Sequence, residues 1–128
     1  MAARGETESR MATDLFRVKS DGPVQVVELS LPSQLDSEDF DRLNDALLSL
    51  FDEKPEGRWV LDLSDLAYAG SSALGLMVNI RQKVKQAGGR LALCGLSPRL
   101  LGVFKTCCLE RLFVIKSLRA DAVRAITR

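Results

Sequence analysis

Residues 59–75 read Trp59-Val60-Leu61-Asp62-Leu63-Ser64-Asp65-Leu66-Ala67-Tyr68-Ala69-Gly70-Ser71-Ser72-Ala73-Leu74-Gly75. The stretch Trp59 to Leu63 is almost continuously apolar, the pattern of a strand covered on both faces. Ser64 to Gly70 then connects it to a helix that starts near Ser71 or Ser72. Turned by 100° per residue, that helix places Ala73, Leu76, Met77, Ile80, Val84 and Ala87 on one arc, wide enough to face a sheet. Gly88-Gly89 can stop it, because glycine accepts left-handed backbone angles. Leu74 and Val78 fall on a flank beside Arg81 and Lys85. They either pack under a neighbouring helix or form an apolar surface spot with a basic edge.

Working outward, Leu15 to Lys19 partly alternates apolar and basic residues, as an edge strand does. Ser20-Asp21-Gly22-Pro23 is a turn cluster, and the β-branched run Val24 to Leu31 completes a hairpin. Asp36-Ser37-Glu38-Asp39 offers a helix N-cap with acids in the first turn. Phe40, Leu43, Leu47 and Leu50 follow as an apolar stripe, ending before Lys54-Pro55-Glu56-Gly57. Downstream of the central stretch, Leu91 to Cys94 reads as a strand. Ser97-Pro98 joins an N-cap residue to proline at the first helical position, which starts a helix running to about Cys107. Leu112 to Ile115 predicts a last strand and Ala120 to Ile126 a terminal helix. The order β-β-α-β-α-β-α-β-α predicts an α/β fold, a mixed sheet with an N-terminal hairpin and about four helices packed on it.

The chain has 128 residues, the size of one domain, and Met1 to Thr13 is polar enough to predict a flexible tail (1–13) ahead of a domain over 14–128. Lys and Arg number 18 against 17 Asp and Glu, a balance that gives no broad positive field for nucleic acid or an acidic membrane. The start lacks the apolar core of a secretory signal, and no run approaches the roughly 18 apolar residues that span a bilayer. Cys94, Cys107 and Cys108 lack a disulfide framework spacing. They read as reduced, buried, structural thiols of a cytoplasmic protein. With no histidine, serine–histidine and cysteine–histidine chemistry are excluded, and three thiols without an imidazole do not complete a tetrahedral zinc site. Neither G-x-G-x-x-G nor G-x-x-x-x-G-K-[ST] follows a strand. The sequence predicts no enzyme, no cofactor and no metal.

Trp59-Val60-Leu61-Asp62-Leu63-Ser64 followed by Gly70-Ser71-Ser72-Ala73-Leu74-Gly75 resembles the signature of the STAS domain family, in the form found in anti-sigma factor antagonists. That signature is an apolar strand with Asp-Leu-Ser, then Asp-Ser-Ser-Gly-Leu-Gly. Gln34-Leu35-Asp36 ahead of the first helix, Gly88-Gly89 before a strand, Ser97-Pro98 opening a helix, and Phe104, Leu109 and Phe113 extend the resemblance from about Leu15 to the C-terminus. Two positions depart from it: Gly70 stands where the family usually has Asp, and Ala73 where it usually has Gly.

The resemblance implies partner switching. An unphosphorylated antagonist binds an anti-sigma factor that is also a serine kinase of the GHKL type, which frees the sigma factor. Phosphorylation of one serine ends the binding, and a phosphatase restores it. By position that serine is Ser71, with Asp36 on the same binding face, and Gly70, Ser72, Leu74 and Val78 complete the candidate partner surface. A weak homodimer is compatible with this role. The residues alone leave a second reading of Ser71 and of Asp36 open, since either side chain can cap a helix N-terminus. The family also contains non-switching members, including accessory subunits of lipid-transport ABC complexes and stressosome scaffolds, and the loss of the acid at Gly70 suits that alternative.

Overall fold

A computed structural model of the chain describes residues 15–31, 37–53, 56–66 and 70–127. The expected N-terminal tail, Asp36, and residues 67–69 of the connection into the central helix lie outside them. Five strands form one sheet in chain order: β1 (Phe16–Asp21), β2 (Val24–Leu29), β3 (Arg58–Asp62), β4 (Arg90–Cys94) and β5 (Val114–Lys116). β1 and β2 are antiparallel, with Phe16 opposite Leu29 and Asp21 opposite Val24, and β2 to β5 run parallel. Only Gly22 and Pro23 separate Asp21 from Val24. Gly22 has φ of 61°, the left-handed value that the first central position of a type II′ turn needs, while proline fixes a negative φ at the second.

The described residues contain four helices: α1 (Ser37–Asp52), α2 (Ser71–Gln86), α3 (Pro98–Thr106) and α4 (Arg119–Thr127). The first three cross between consecutive parallel strands. Crossovers of one hand between neighbouring strands in sequential order put their helices on the same side of the sheet. That side holds the larger core, where Leu43, Leu47, Met77, Ile80, Leu100 and Phe104 meet Val27, Leu29, Leu61 and Leu93. The opposite side would be bare without α4, whose Ala122 and Ile126 cover Val24, Val26, Val60, Ala92 and Cys94. Along β2 to β4 the buried residues alternate between these two cores, so these three strands are covered on both faces.

The helix ends follow local chemistry. Ser97 Oγ accepts the amide of Leu100 at 3.1 Å and Pro98 opens α3, as its sequence predicts. α2 ends in a Schellman motif: Gly89 N donates to Val84 O at 2.8 Å and Gly88 N to Lys85 O at 3.1 Å, with Gly88 at φ of 85°.

Three expectations need correction in detail. In α1 the buried line is Leu43, Leu47 and Phe51, at strict i, i+4 spacing, with Phe40 and Leu50 on its half-buried flanks. Phe51 was absent from the expected stripe; its ring meets Trp59 edge-on, centroids 4.4 Å apart. The last strand begins at Val114, because Leu112 closes a 3₁₀ turn over Leu109–Arg111 by donating its amide to Leu109 O. Finally, Cys94 is buried but Cys107 and Cys108 are exposed. They sit just past the C-terminal end of α3, where Cys107 is the cap and Cys108 takes a left-handed φ of 60°, and the core is left to Phe104 and Phe113.

Candidate functional site

The candidate surface begins where β3 ends. Leu63 and Leu66 are buried, and Leu63 N donates to Cys94 O at 2.9 Å, so the connection leaves the sheet from a fixed point. Gly70 is the N-cap of α2, in extended backbone with φ of −80° and ψ of −176°, and no side chain caps the helix there. Ser71 and Ser72 occupy the first two helical positions and are exposed. The capping role open to Ser71 from sequence is therefore not the one it plays: the cap position belongs to a glycine, whose backbone carbonyl accepts the amide of Leu74 at 3.0 Å.

Five of the six residues on the expected inward arc of α2, Ala73, Leu76, Met77, Ile80 and Val84, are buried. Ala87 has passed into the C-cap and is half-buried. Leu74 and Val78 are half-buried, touching the core from its margin, so each contributes to packing and still presents an edge to solvent. Beyond Val78 a shallow depression is lined by Val78, Arg81, Gln82, Lys85 and Gln86. Arg81 Nε donates to the carbonyl of Leu112, joining α2 to the turn ahead of β5. Thus Gly70, Ser71, Ser72, Leu74 and Val78 share the first two turns of one helix, while Asp36 lies outside the described residues.

A second constellation was not anticipated from sequence. Asp62, the aspartate of Asp62-Leu63-Ser64, is buried on the α4 side of the sheet. Its Oδ1 accepts the Ser64 amide at 3.0 Å and the Ser64 hydroxyl at 2.5 Å. Its Oδ2 accepts two N–H groups of Arg119, from Nε at 2.9 Å and Nη2 at 2.6 Å. Arg119 Nη2 also reaches Glu28, which lies 3.5 Å from Lys19 Nζ. Burial by itself would raise the Asp62 pKa, but the bonds from Ser64 and Arg119 outweigh it and hold the carboxyl below its ordinary value. The Arg119 hydrogen bond does the same for Glu28. Cys94, beside Asp62 on the neighbouring strand, is pushed up to about 12, first by burial and then by the Asp62 charge, which keeps it a neutral, unreactive thiol.

Gly95 makes room for this arrangement. A Cβ there would stand 2.3 Å from Ser64 Oγ and 3.0 Å from Asp62 Oδ1, and its φ is 74°. The Asp-Leu-Ser motif is therefore a structural latch: it fastens α4 to the C-terminal end of β3, at the root of the connection to Ser71. The sequence carried one signal for it. An aspartate at the end of an otherwise buried strand needs a cation or several donors nearby.

Among the described residues no helix is long and apolar enough to cross a membrane, and no group of three or more His, Cys, Asp or Glu could hold a metal ion.

A sequential five-stranded sheet with an antiparallel first pair, three helices on one side and one on the other is the architecture of the STAS domain. The STAS domain family model matches residues 17–122, and the chain belongs to that family. BtrV of Bordetella bronchiseptica, named as an anti-sigma factor antagonist, is 33% identical over 73 residues, 57% of this chain. The match covers 63% of BtrV, less than two thirds of its length. An anti-sigma-factor antagonist STAS domain protein from Planctomyces limnophilus superposes with a TM-score of 0.76 at 21% identity, covering 88% of this chain and 98% of its own. The phosphorylated form of the Bacillus cell fate determinant SpoIIAA superposes with a TM-score of 0.62 at 18% identity, covering 87% and 98%.

Proposed function

We propose that the chain is an anti-sigma factor antagonist of the cytoplasm. It binds an anti-sigma factor that is also a GHKL-type serine kinase, releases that kinase's sigma factor for transcription, and is switched off by phosphorylation at Ser71 until a phosphatase restores it. The observation that carries the proposal is the position of Ser71: exposed at the first position of α2, one turn from the half-buried Leu74 and two turns from Val78. A partner resting on those apolar edges covers the hydroxyl. A phosphate there adds a charge of about −1.5 to −2, which the helix N-terminus tolerates but an apolar contact does not. Modification therefore ends binding without unfolding the domain. The similarity to BtrV and the existence of a phosphorylated SpoIIAA on the same fold support this reading.

One observation favours the alternative of a non-switching accessory or scaffold subunit, of the lipid-transport ABC or stressosome type: the bare glycine cap at Gly70, where the signature this stretch resembles usually has Asp. Affinity capture with the purified domain separates the two. Recovery of a GHKL-type kinase by the unphosphorylated form is the expected result; recovery of ABC-transporter subunits alone contradicts the switching role.

A further inference from the structure

The near-zero net charge conceals a segregation. α1 carries Glu38, Asp39, Asp41, Asp45 and Asp52 against Arg42 alone. From Ser71 to Leu112, by contrast, Glu110 is the only acid among seven Lys and Arg. α1 and α2 lie side by side, bridged by Lys83 to Asp52 at 2.9 Å, so the helical side of the molecule is acidic at one end and basic at the other. The basic part has apolar content as well. Val78 borders Arg81 and Lys85 in one depression. The Arg81 bond holds the Leu112 backbone against the same helix, with the exposed Arg111 next to it in the chain, and Leu112 is 39% exposed.

We propose that this α2 and Arg111–Leu112 surface is the docking site for an acidic, partly apolar protein surface. The proposal rests on the reading of α2 as a partner-binding helix and adds the chemistry of the partner. Charge complementarity selects that occupant. A polyanion such as duplex DNA or an anionic bilayer would extend over α1 as well. Packed helices lie about 8–10 Å apart, within about one Debye length at physiological salt, so the acids of α1 repel it. A compact acidic patch with apolar anchors fits the basic half alone and gains burial at Val78 and Leu112. A phosphate on Ser71, besides meeting the partner at the contact, would neutralise part of the basic field that attracts it.

The test uses the whole domain, labelled with ¹⁵N, and a synthetic amphipathic helix with one glutamate face and one leucine face as probe. Duplex DNA and phosphatidylserine–phosphatidylcholine vesicles serve as competing ligands. The expected result is amide shifts confined to residues 78–86 and 111–112, with affinity that falls as salt rises. The double reversal Lys85→Glu with Arg111→Glu, two exposed side chains, should bind the probe about tenfold or more weakly at an unchanged melting temperature. Equal binding by the double variant, no binding by the wild type, or tighter binding of DNA or vesicles overturns the proposal. The partner-switching reading fails separately. Peptide binding without capture of any kinase removes that partner and leaves the surface, whereas kinase capture unaffected by the double reversal removes the surface and leaves the kinase.

Discussion

At the scale of single residues, the decisive side chain is Asp62, because it is nearly the whole of the polar content of the buried sheet. Arg119 is partly exposed, so its attraction to Asp62 is screened more than in a fully buried pair. Arg119→Met should therefore cost about 2–3 kcal/mol rather than the upper values for buried pairs, read as a lowered denaturant midpoint. Asp62 and Glu28 both have depressed folded-state pKa values. Their stabilisation is thus present above the unfolded carboxylate pKa of about 4 and is lost as pH falls through the lower folded values. Stability from this cluster should be level between about pH 5 and 8 and drop below about pH 4, and Asp62→Asn should lower the plateau and flatten the acid limb. An acid limb as steep in Asp62→Asn as in wild type would assign acid unfolding to other carboxylates. The thiols divide the same way: a disulfide-exchange reagent should titrate Cys107 and Cys108 in the native protein and Cys94 only after denaturation.

At the scale of elements, α2 has two unlike ends. Its C-terminus is closed by a Schellman motif, while its N-terminus rests on a glycine. A Cβ at Gly70 meets nothing within 4 Å and the backbone there is ordinary extended chain. Gly70→Asp should consequently stabilise the domain by about 0.5–1 kcal/mol, through a cap bond and a less flexible unfolded chain. A calorimetric melt that moves down instead would show that the preceding connection opposes a side chain there. On the flank of the same helix, Leu74→Asp and Val78→Asp should each lose about 1–2 kcal/mol of stability, since both residues are only half-buried, and should abolish partner capture. A loss of several kcal/mol would place them in the core and remove them from the interface.

At the scale of the whole molecule, the order of elements was legible because each begins or ends on a local signal: the Gly22-Pro23 turn, the Ser97-Pro98 cap, the Gly88-Gly89 stop, and apolar runs long enough to fill both sides of a parallel sheet. The candidate surface was legible only through the Ser71-Ser72 motif and the 100° turn of α2. What escaped was non-local. Asp62 finds Arg119 across 57 positions of chain, and no periodicity announces such a pair. The exposure of Cys107 and Cys108 followed from α3 ending at Thr106, with residues 107–113 still to come before the sheet resumes at Val114, where a general preference of cysteine for the interior has no force. Charge segregation between α1 and α2 is visible in the sequence but acquires meaning only once the two helices are neighbours. The account as a whole turns on Ser71, and incubation of the domain with its cognate kinase and ATP, followed by peptide mass spectrometry and a binding assay, tests it most directly. The prediction is one phosphate, on Ser71 and not Ser72, loss of binding on modification, constitutive binding by Ser71→Ala and partial loss in Ser71→Asp. A kinase that binds but never modifies Ser71, with Ser71→Asp binding like wild type, would contradict it.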